Sequence, residues 1–170
     1  GGGIDTVARL VAEGLAPRLG QPVVVDNKPG AGATIGADAL IRSPADGYTI
    51  MLGSILDYSI SPYFQKGINF DMSRDFAPIV EVGFGTVGMM VSAHLPAKSV
   101  AQLIALAKAK PNQISFASSG TGGAHHLEGE MFKQMAGVEM VHVPYKGTTQ
   151  FLPDLISGRV QMTVDSIPAH

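Results

Sequence analysis

Four stretches of this chain place glycine where a helix is about to begin: GGGIDT (1–6), PGAGATIG (29–36), SSGTGGAHHL (118–127) and YKGTTQ (145–150). The last three each follow an apolar, strand-like run: PVVVD (22–26), ISFAS (114–118) and MVHVPY (140–145). Strand, glycine turn and helix in repetition specify an α/β design with mostly parallel sheets. In such sheets the junctions gather at the carboxyl ends of the strands and open on one crevice. A helix start offers unpaired N–H donors and a partial positive charge, and glycine lets a ligand come close to both. At any single junction the glycines can serve the turn alone. Four of them, with Thr34, Ser118, Ser119 and Thr121 nearby, favour a crevice that holds an anion. One helix terminus contributes roughly 0.3–1 kcal/mol when exposed and about 2 when partly buried. Charge-assisted hydrogen bonds add about 1.5–3 each. Several together reach the ~8 kcal/mol of micromolar binding.

The remaining elements fit that frame. Ile4, Val7, Leu10, Val11, Leu15 and Leu19 fall on one stripe of a helix over 4–19 that Gly20 stops. Helix signals resume from Ala33 to Arg42, and YTIMLG (48–53) reads as a strand. Residues 54–76 read as a short helix and an ordered loop. APIVEVG (77–83) and TVGMMVSAHLP (86–96) form an extended pair that suggests a crossing between two sub-domains near residues 82–86. Ser99 and Gln102 make a capping box before the helix VAQLIALAKAK. Helices through HHLEGEMFKQMAG and TQFLPDLISG, with Pro153 limiting the first turn of the latter, alternate with ISFAS, MVHVPY and VQMTVD.

Composition narrows the function classes. The net charge is −2 and no basic run exists, which argues against a nucleic-acid surface. Cysteine is absent, excluding disulfides and Cys-based zinc sites. No apolar run approaches the ~20 residues of a membrane span. The chain opens without Met and directly on a helix, as expected of a piece whose N-terminal part lies elsewhere. GTGGAH (120–125) lacks the third glycine of the dinucleotide fingerprint, and no phosphate-binding G-x-x-x-x-G-K-[ST] occurs. His125 and His126, with Glu128 and Glu130 following, suggest a metal. Yet neighbouring residues point to different sides of a helix, so these two rings are poorly set to share one ion. His142, in an alternating strand, reads as a satisfied polar group. A triad can be drawn from Ser119, His126 and Asp165, but no G-x-S-x-G elbow supports it. Asp5 can cap the N–H groups of its own helix or position a ligand. Holding chemistry is well represented, and bond-breaking chemistry is not.

The segments GGGIDTVARLVAEGLAPRLGQPVVVDNKPGAGATIGADAL, DGYTIMLGS, DFAPI, PAKSVAQLIALAKAKPNQISFASSGTGGAHHLEGEMFKQMAG and MVHVPYKGTTQFLPDLISGRVQ resemble the Bug-type receptors. These are the periplasmic substrate-binding proteins of tripartite tricarboxylate transporters. The resemblance covers almost the whole chain in order, and NKPGAGATIG and HVPYKG carry most of its specificity. It implies a periplasmic-binding-protein type II fold, a two-lobed Venus flytrap with a small carboxylate between the lobes. Residues 1–84 would belong to the first lobe, without its first strand and its C-terminal part, and 85–170 to the second, truncated at its C-terminus. It implies a periplasmic location, no cofactor, no metal, no catalytic residue, and a monomer when full length. The partners implied are the transporter's membrane components or a sensor.

Carried over by motif, ligand contacts fall on Gly2, Gly3 and Asp5, on Gly30, Ala31, Gly32 and Ala33, and on Ser54. In the second lobe they fall on Ser119, Gly120, Thr121, Gly122 and His126, on Tyr145, Lys146 and Gly147, and on Asp165. Two departures stand out. After MLGS the chain reads ILDYSISPYF, where the family has small residues, a His and an Asn before the Pro. Asp57, Tyr58 and Ser61 make that cleft edge unusual, and an anionic Asp57 would favour a ligand carrying an amine or disfavour a second carboxylate. His125 stands where the family has a small polar residue. The type II topology further implies that the strand between 22–26 and 48–53 lies before Gly1, which leaves those two runs unbonded to each other. The alternative function is an α/β enzyme acting on a small anionic substrate.

Overall fold

The computed structural model describes residues 2–64, 67–68 and 70–167, and of Ser61 the backbone only. Among the described residues six α-helices and four strands follow in order, with a short 3-10 turn at Ala31–Ala33: α1 (Gly3–Leu19), α2 (Thr34–Ile41), α3 (Ile55–Phe64), β1 (Thr86–Val91), α4 (Val100–Ala109), β2 (Ser115–Ser118), α5 (Ala124–Ala136), β3 (Val141–Pro144), α6 (Thr148–Ser157) and β4 (Met162–Ile167). The four strands make one sheet in the order β1-β4-β2-β3. β2 lies parallel to both β3 and β4, whereas β1 runs antiparallel to β4, from Thr86 opposite Ile167 to Val91 opposite Met162. The sheet is therefore mixed rather than parallel throughout. The pattern TVGMMV reads equally well in either direction, so it could not encode the sense of this edge strand.

Side chains alternate across the sheet as the two-residue period requires. Phe116 and Met162 pack with Leu103 and Ala107 of α4, Ile114, Val138 and Met140 in the main core, with Phe132 and Ala136 of α5 against them. Ala117, on the opposite face, joins Phe151 of α6 and Val160. α5 presses close to the sheet because Gly129 lies over Phe116, where a built Cβ would fall 2.3 Å from the ring. Ser99 caps α4 by accepting the Gln102 N–H at 3.2 Å, while Gln102 Oε1 takes the Lys98 N–H at 2.7 Å. The expected box is thus displaced by one donor. Gly20, Gly137 and Gly158 close α1, α5 and α6 in left-handed conformations.

The N-terminal half differs. The runs 22–26, 48–53 and 77–83, expected to be strands or extended pairs, enter no ladder, and β1 begins only at Thr86. Neither of the first two finds a strand partner among the described residues, and they are not bonded to each other. The apolar stripe of α1 is likewise largely uncovered: Ile4, Val7, Leu10 and Leu19 are exposed, and Ala12 is its buried residue. Correct periodicity produced the helix there, but among the described residues only Val11 and Leu15 of the stripe are half-buried.

Candidate functional site

The junction after 22–26 is an unusual piece of backbone. Ala31, Gly32 and Ala33 all have positive φ, at 48°, 57° and 70°, following Gly30 at 116°. Left-handed backbone costs a residue with a side chain roughly 1–2 kcal/mol, so Ala31 and Ala33 hold strain that the surroundings must sustain. Buried Thr34 helps, its Oγ1 donating to the Ala31 carbonyl at 2.8 Å. Asp5 of α1 steadies the approach to this loop. It accepts from Asn27 Nδ2 at 2.9 Å and pairs with Arg9 Nε at 3.0 Å. The Asn27 hydrogen bond, ahead of Arg9, holds the Asp5 carboxyl below its ordinary range.

The junction after β2 is built on a serine and two histidines. Ser118 Oγ, fully buried, meets Gly120 N and O at 3.2 and 3.1 Å and His142 Nε2 at 2.7 Å. His126 Nδ1 accepts the Gly122 N–H at 3.1 Å, and its ring stacks on His142 with centroids 3.9 Å apart, above Phe116. The two adjacent histidines do face different ways. His125 turns instead toward Ser119, whose Oγ lies 3.3 Å from Nδ1, and toward buried Asp165, with Nε2 3.3 Å from Oδ1. Asp165 Oδ2 accepts from Thr148 Oγ1 at 2.6 Å, and Oδ1 from the Ser166 N–H at 2.7 Å. One chain of contacts therefore runs from the start of α5 through the end of β4 to the start of α6.

The four glycine-bearing helix starts come together. A Cβ built on Gly120 would stand 3.3 Å from Gly32 N, and one on Gly123 3.5 Å from Gly32 Cα. Bare backbone from one half thus meets bare backbone from the other. A Cβ on Gly2 would lie 3.8 Å from Thr148 Oγ1, which brings the start of α1 to that of α6. Asp57, in the first turn of α3, spans the same gap: its Oδ1 accepts the Ala124 N–H at 3.0 Å. A concavity of about 660 Å³ runs along α5 past Met131 and Gln134, and another of about 330 Å³ lies beside α1 at Arg9 and Val23.

The model of the tripartite tricarboxylate transporter family receptor matches residues 7–170. The chain belongs to this family. It is 36% identical over 170 residues to Protein BugT of Bordetella pertussis, covering 99% of this chain and 52% of BugT. The structure of R. palustris Rpa4515 with adipate superposes with a TM-score of 0.91 at 36% identity, over 96% of this chain and 55% of that one. MatC from Rhodopseudomonas palustris with bound malate gives 0.89 at 25% identity, over 98% and 56%. This receptor-family chain spans about half the length of the relatives it matches, and its fold is that of periplasmic solute-binding proteins.

Measured against the motif-derived site of the family, most residues gather and a few turn away. Gly2, Gly32, Ser119, Gly120 and Asp165 lie at the meeting of the helix starts, and Gly147 caps α6 beside Thr148. Gly3 opens α1, and Ser54 precedes α3, its carbonyl receiving the Tyr58 N–H at 3.4 Å. Thr121 is exposed on the same loop. Lys146 is exposed and gives its N–H to Gln150 Oε1. Tyr145 points its hydroxyl away, to Asp154 Oδ2 at 2.8 Å, with its ring against Phe151. The Ser–His–acid line forms through His125, not His126, because the stack on His142 turns the His126 ring away. Gly1 and the Ser61 side chain lie outside the described residues.

Thr148 and Glu128 were not foreseen at the site. Thr148 follows a glycine like any helix-start threonine, and nothing in sequence pairs it with an aspartate seventeen residues on. Glu128 carries the only sequence signal available, an acid three residues after His125. Among the described residues its buried Oε2 has no hydrogen-bond partner, and burial, with the Asp57 and Asp165 charges against the opposing pull of His125, pushes its carboxyl up.

Proposed function

We propose that the whole protein is an extracytoplasmic solute receptor that binds a small carboxylated metabolite between two lobes. Residues 1–84 contribute to one lobe and 85–170 to the other. The observation that carries this reading is the convergence of glycine-bearing helix starts from both halves, with Gly32 against Gly120 and Gly123 and Gly2 beside Thr148. That arrangement supplies N–H donors and helix-terminal positive charge at one place, which is what a carboxylate requires. The adipate of Rpa4515 and the malate of MatC support a carboxylic acid as ligand. Backbone of Gly2, Gly3, Gly30–Ala33, Gly120, Thr121, Gly122 and Gly147 would line the ligand, the Gly120 and Gly122 amides being held in place by Ser118 and His126, with Ser54, Ser119 and Lys146 adding side-chain donors. Asp5, His126, Tyr145 and Asp165 would hold those loops in place. The family's receptor role supports a periplasmic location and delivery to the transporter's membrane components or a sensor.

A hydrolytic reading has one observation in its favour, the Ser119–His125–Asp165 line. Both of its links are 3.3 Å long, and Asp165 is also engaged by Thr148 and Ser166. Those contacts describe a support more than an activated nucleophile. Calorimetry of the full-length protein against mono- and dicarboxylates, with and without chelator, tests the receptor reading. The expected result is micromolar or tighter binding, unchanged by chelator, with the acid recovered intact. Binding abolished by chelator, or a chemically altered acid, overturns it.

A further inference from the structure

Asp57 reaches from the N-terminal half into the donor set that a ligand carboxylate would use. Its Oδ1 already holds the Ala124 N–H at the start of α5, and a Cβ on Gly123 would stand 3.5 Å from that same oxygen. The protein thus supplies a carboxylate of its own at one of the converging helix starts. The charges around it add to the effect. Glu128 of α5 feels the charges of Asp57, Asp165 and His125, and His125 pairs with Asp165, so three carboxyl groups share this region with one imidazole. Glu128 Oε2 is buried and finds no hydrogen-bond donor among the described residues. Beside Asp57 on α3, burial and then the Asp57 charge push the Tyr58 hydroxyl up to about 12, so it stays a neutral phenol. A second anionic end arriving here would meet an occupied donor and like charge at short range, and both oppose it.

We propose that Asp57 is a specificity-determining residue that stands in for one ligand carboxylate, so that this receptor takes monocarboxylates with a neutral or cationic far end and rejects the matching dicarboxylates. The proposal rests on the receptor reading above. It sets this chain apart from Rpa4515 and MatC, whose bound adipate and malate each carry two carboxylates.

The test is calorimetry of the full-length protein and its Asp57→Asn and Asp57→Ala variants against matched acids: butanoate and succinate, hexanoate and adipate, and 6-aminohexanoate. Asn keeps an oxygen for the Ala124 N–H while removing the charge, and Ala frees that N–H altogether. The unmodified protein should favour a monocarboxylate over its dicarboxylate partner by at least tenfold. Asp57→Asn should tighten the dicarboxylate at least tenfold and move the monocarboxylate less than threefold, with Asp57→Ala shifting the ratio the same way. A preference for the dicarboxylate in the unmodified protein overturns the assignment without any variant. So does a ratio that stays within twofold in both variants. Failure of every acid to bind overturns the receptor reading itself and this proposal with it.

Discussion

Residues 86–167 and residues 2–84 carry similar apolar runs and reach different ends. In the C-terminal half, Phe116, Ala117 and Met162 are fully buried, because β2 has a parallel neighbour on each side and helices on both faces. In the N-terminal half, Val24, Ile79, Val80 and Phe84 are as apolar and stand in solvent, with Phe84 92% exposed. Hydrophobicity and β-branching bring a segment to the extended region, but burial needs a partner to pair its N–H and C=O groups. Without a ladder, the same residue types leave their side chains uncovered. Both halves nevertheless deliver glycine helix starts to the same place, so the shared site does not require equal packing on its two sides.

The largest effect that could break this contrast is a pair of truncations in the full-length protein. Phe116→Ala should cost about 3–5 kcal/mol, the usual range for a fully buried phenylalanine. Ile79→Ala should stay within about 0.5 kcal/mol if residue 79 is as exposed there as here. Urea denaturation midpoints compare the two, and equal losses would mean that the N-terminal runs are buried after all.

A smaller effect belongs to the histidine stack, whose rings keep some solvent access. Burial first, then the His126 charge, holds His142 down to about 4 from its ordinary 6.5, and burial lowers His126 as well. As pH falls, the unfolded chain takes up these protons before the folded one. The stability contributed by the neutral stack is therefore fully present above about pH 6.5 and lost as pH drops toward about 4. Urea midpoints between pH 7.5 and 4.5 should fall less steeply in His142→Gln than in the parent. Parallel curves would remove His142 from the acid response.

The smallest expected effect sharpens the comparison at the strained loop. Ala33→Gly relieves left-handed backbone worth roughly 1–2 kcal/mol and gives back about 0.4–1 in unfolded-state entropy. A net gain of about 0 to 1.6 kcal/mol in thermal unfolding is expected, and a loss would show that the Ala33 methyl packs productively.

Sequence legibility followed the same divide. The alternation from ISFAS to VQMTVD gave β2, α5, β3, α6 and β4 close to their observed limits, because each apolar period there has a surface to meet. PVVVD and YTIMLG carried an equally good strand pattern, yet pairing is a property of two segments, and neither segment encodes its neighbour. At the site, the glycine junctions were visible because glycine marks backbone that must pass close to something. The pairing of Asp165 with His125 and Thr148 was not, since its partners lie 40 and 17 residues earlier in the chain and follow no local period. Gly129 was hidden for another reason: a glycine inside a helix reads as a cost of about 1 kcal/mol until the Phe116 ring beneath it is seen.

The two oxygens of Asp165 make the second side of the site a single jaw. Thr148 brings the start of α6 to one oxygen, and His125 brings that of α5 to the other, with the Ser166 amide fastening the carboxylate to β4. Neither helix start can swing without disturbing a contact at that shared group, so on the proposed receptor reading their donors would meet an arriving anion at a spacing already set. The ordering entropy of two loops is then met at folding rather than at binding. On the proposed receptor reading, closure would carry this jaw as one piece.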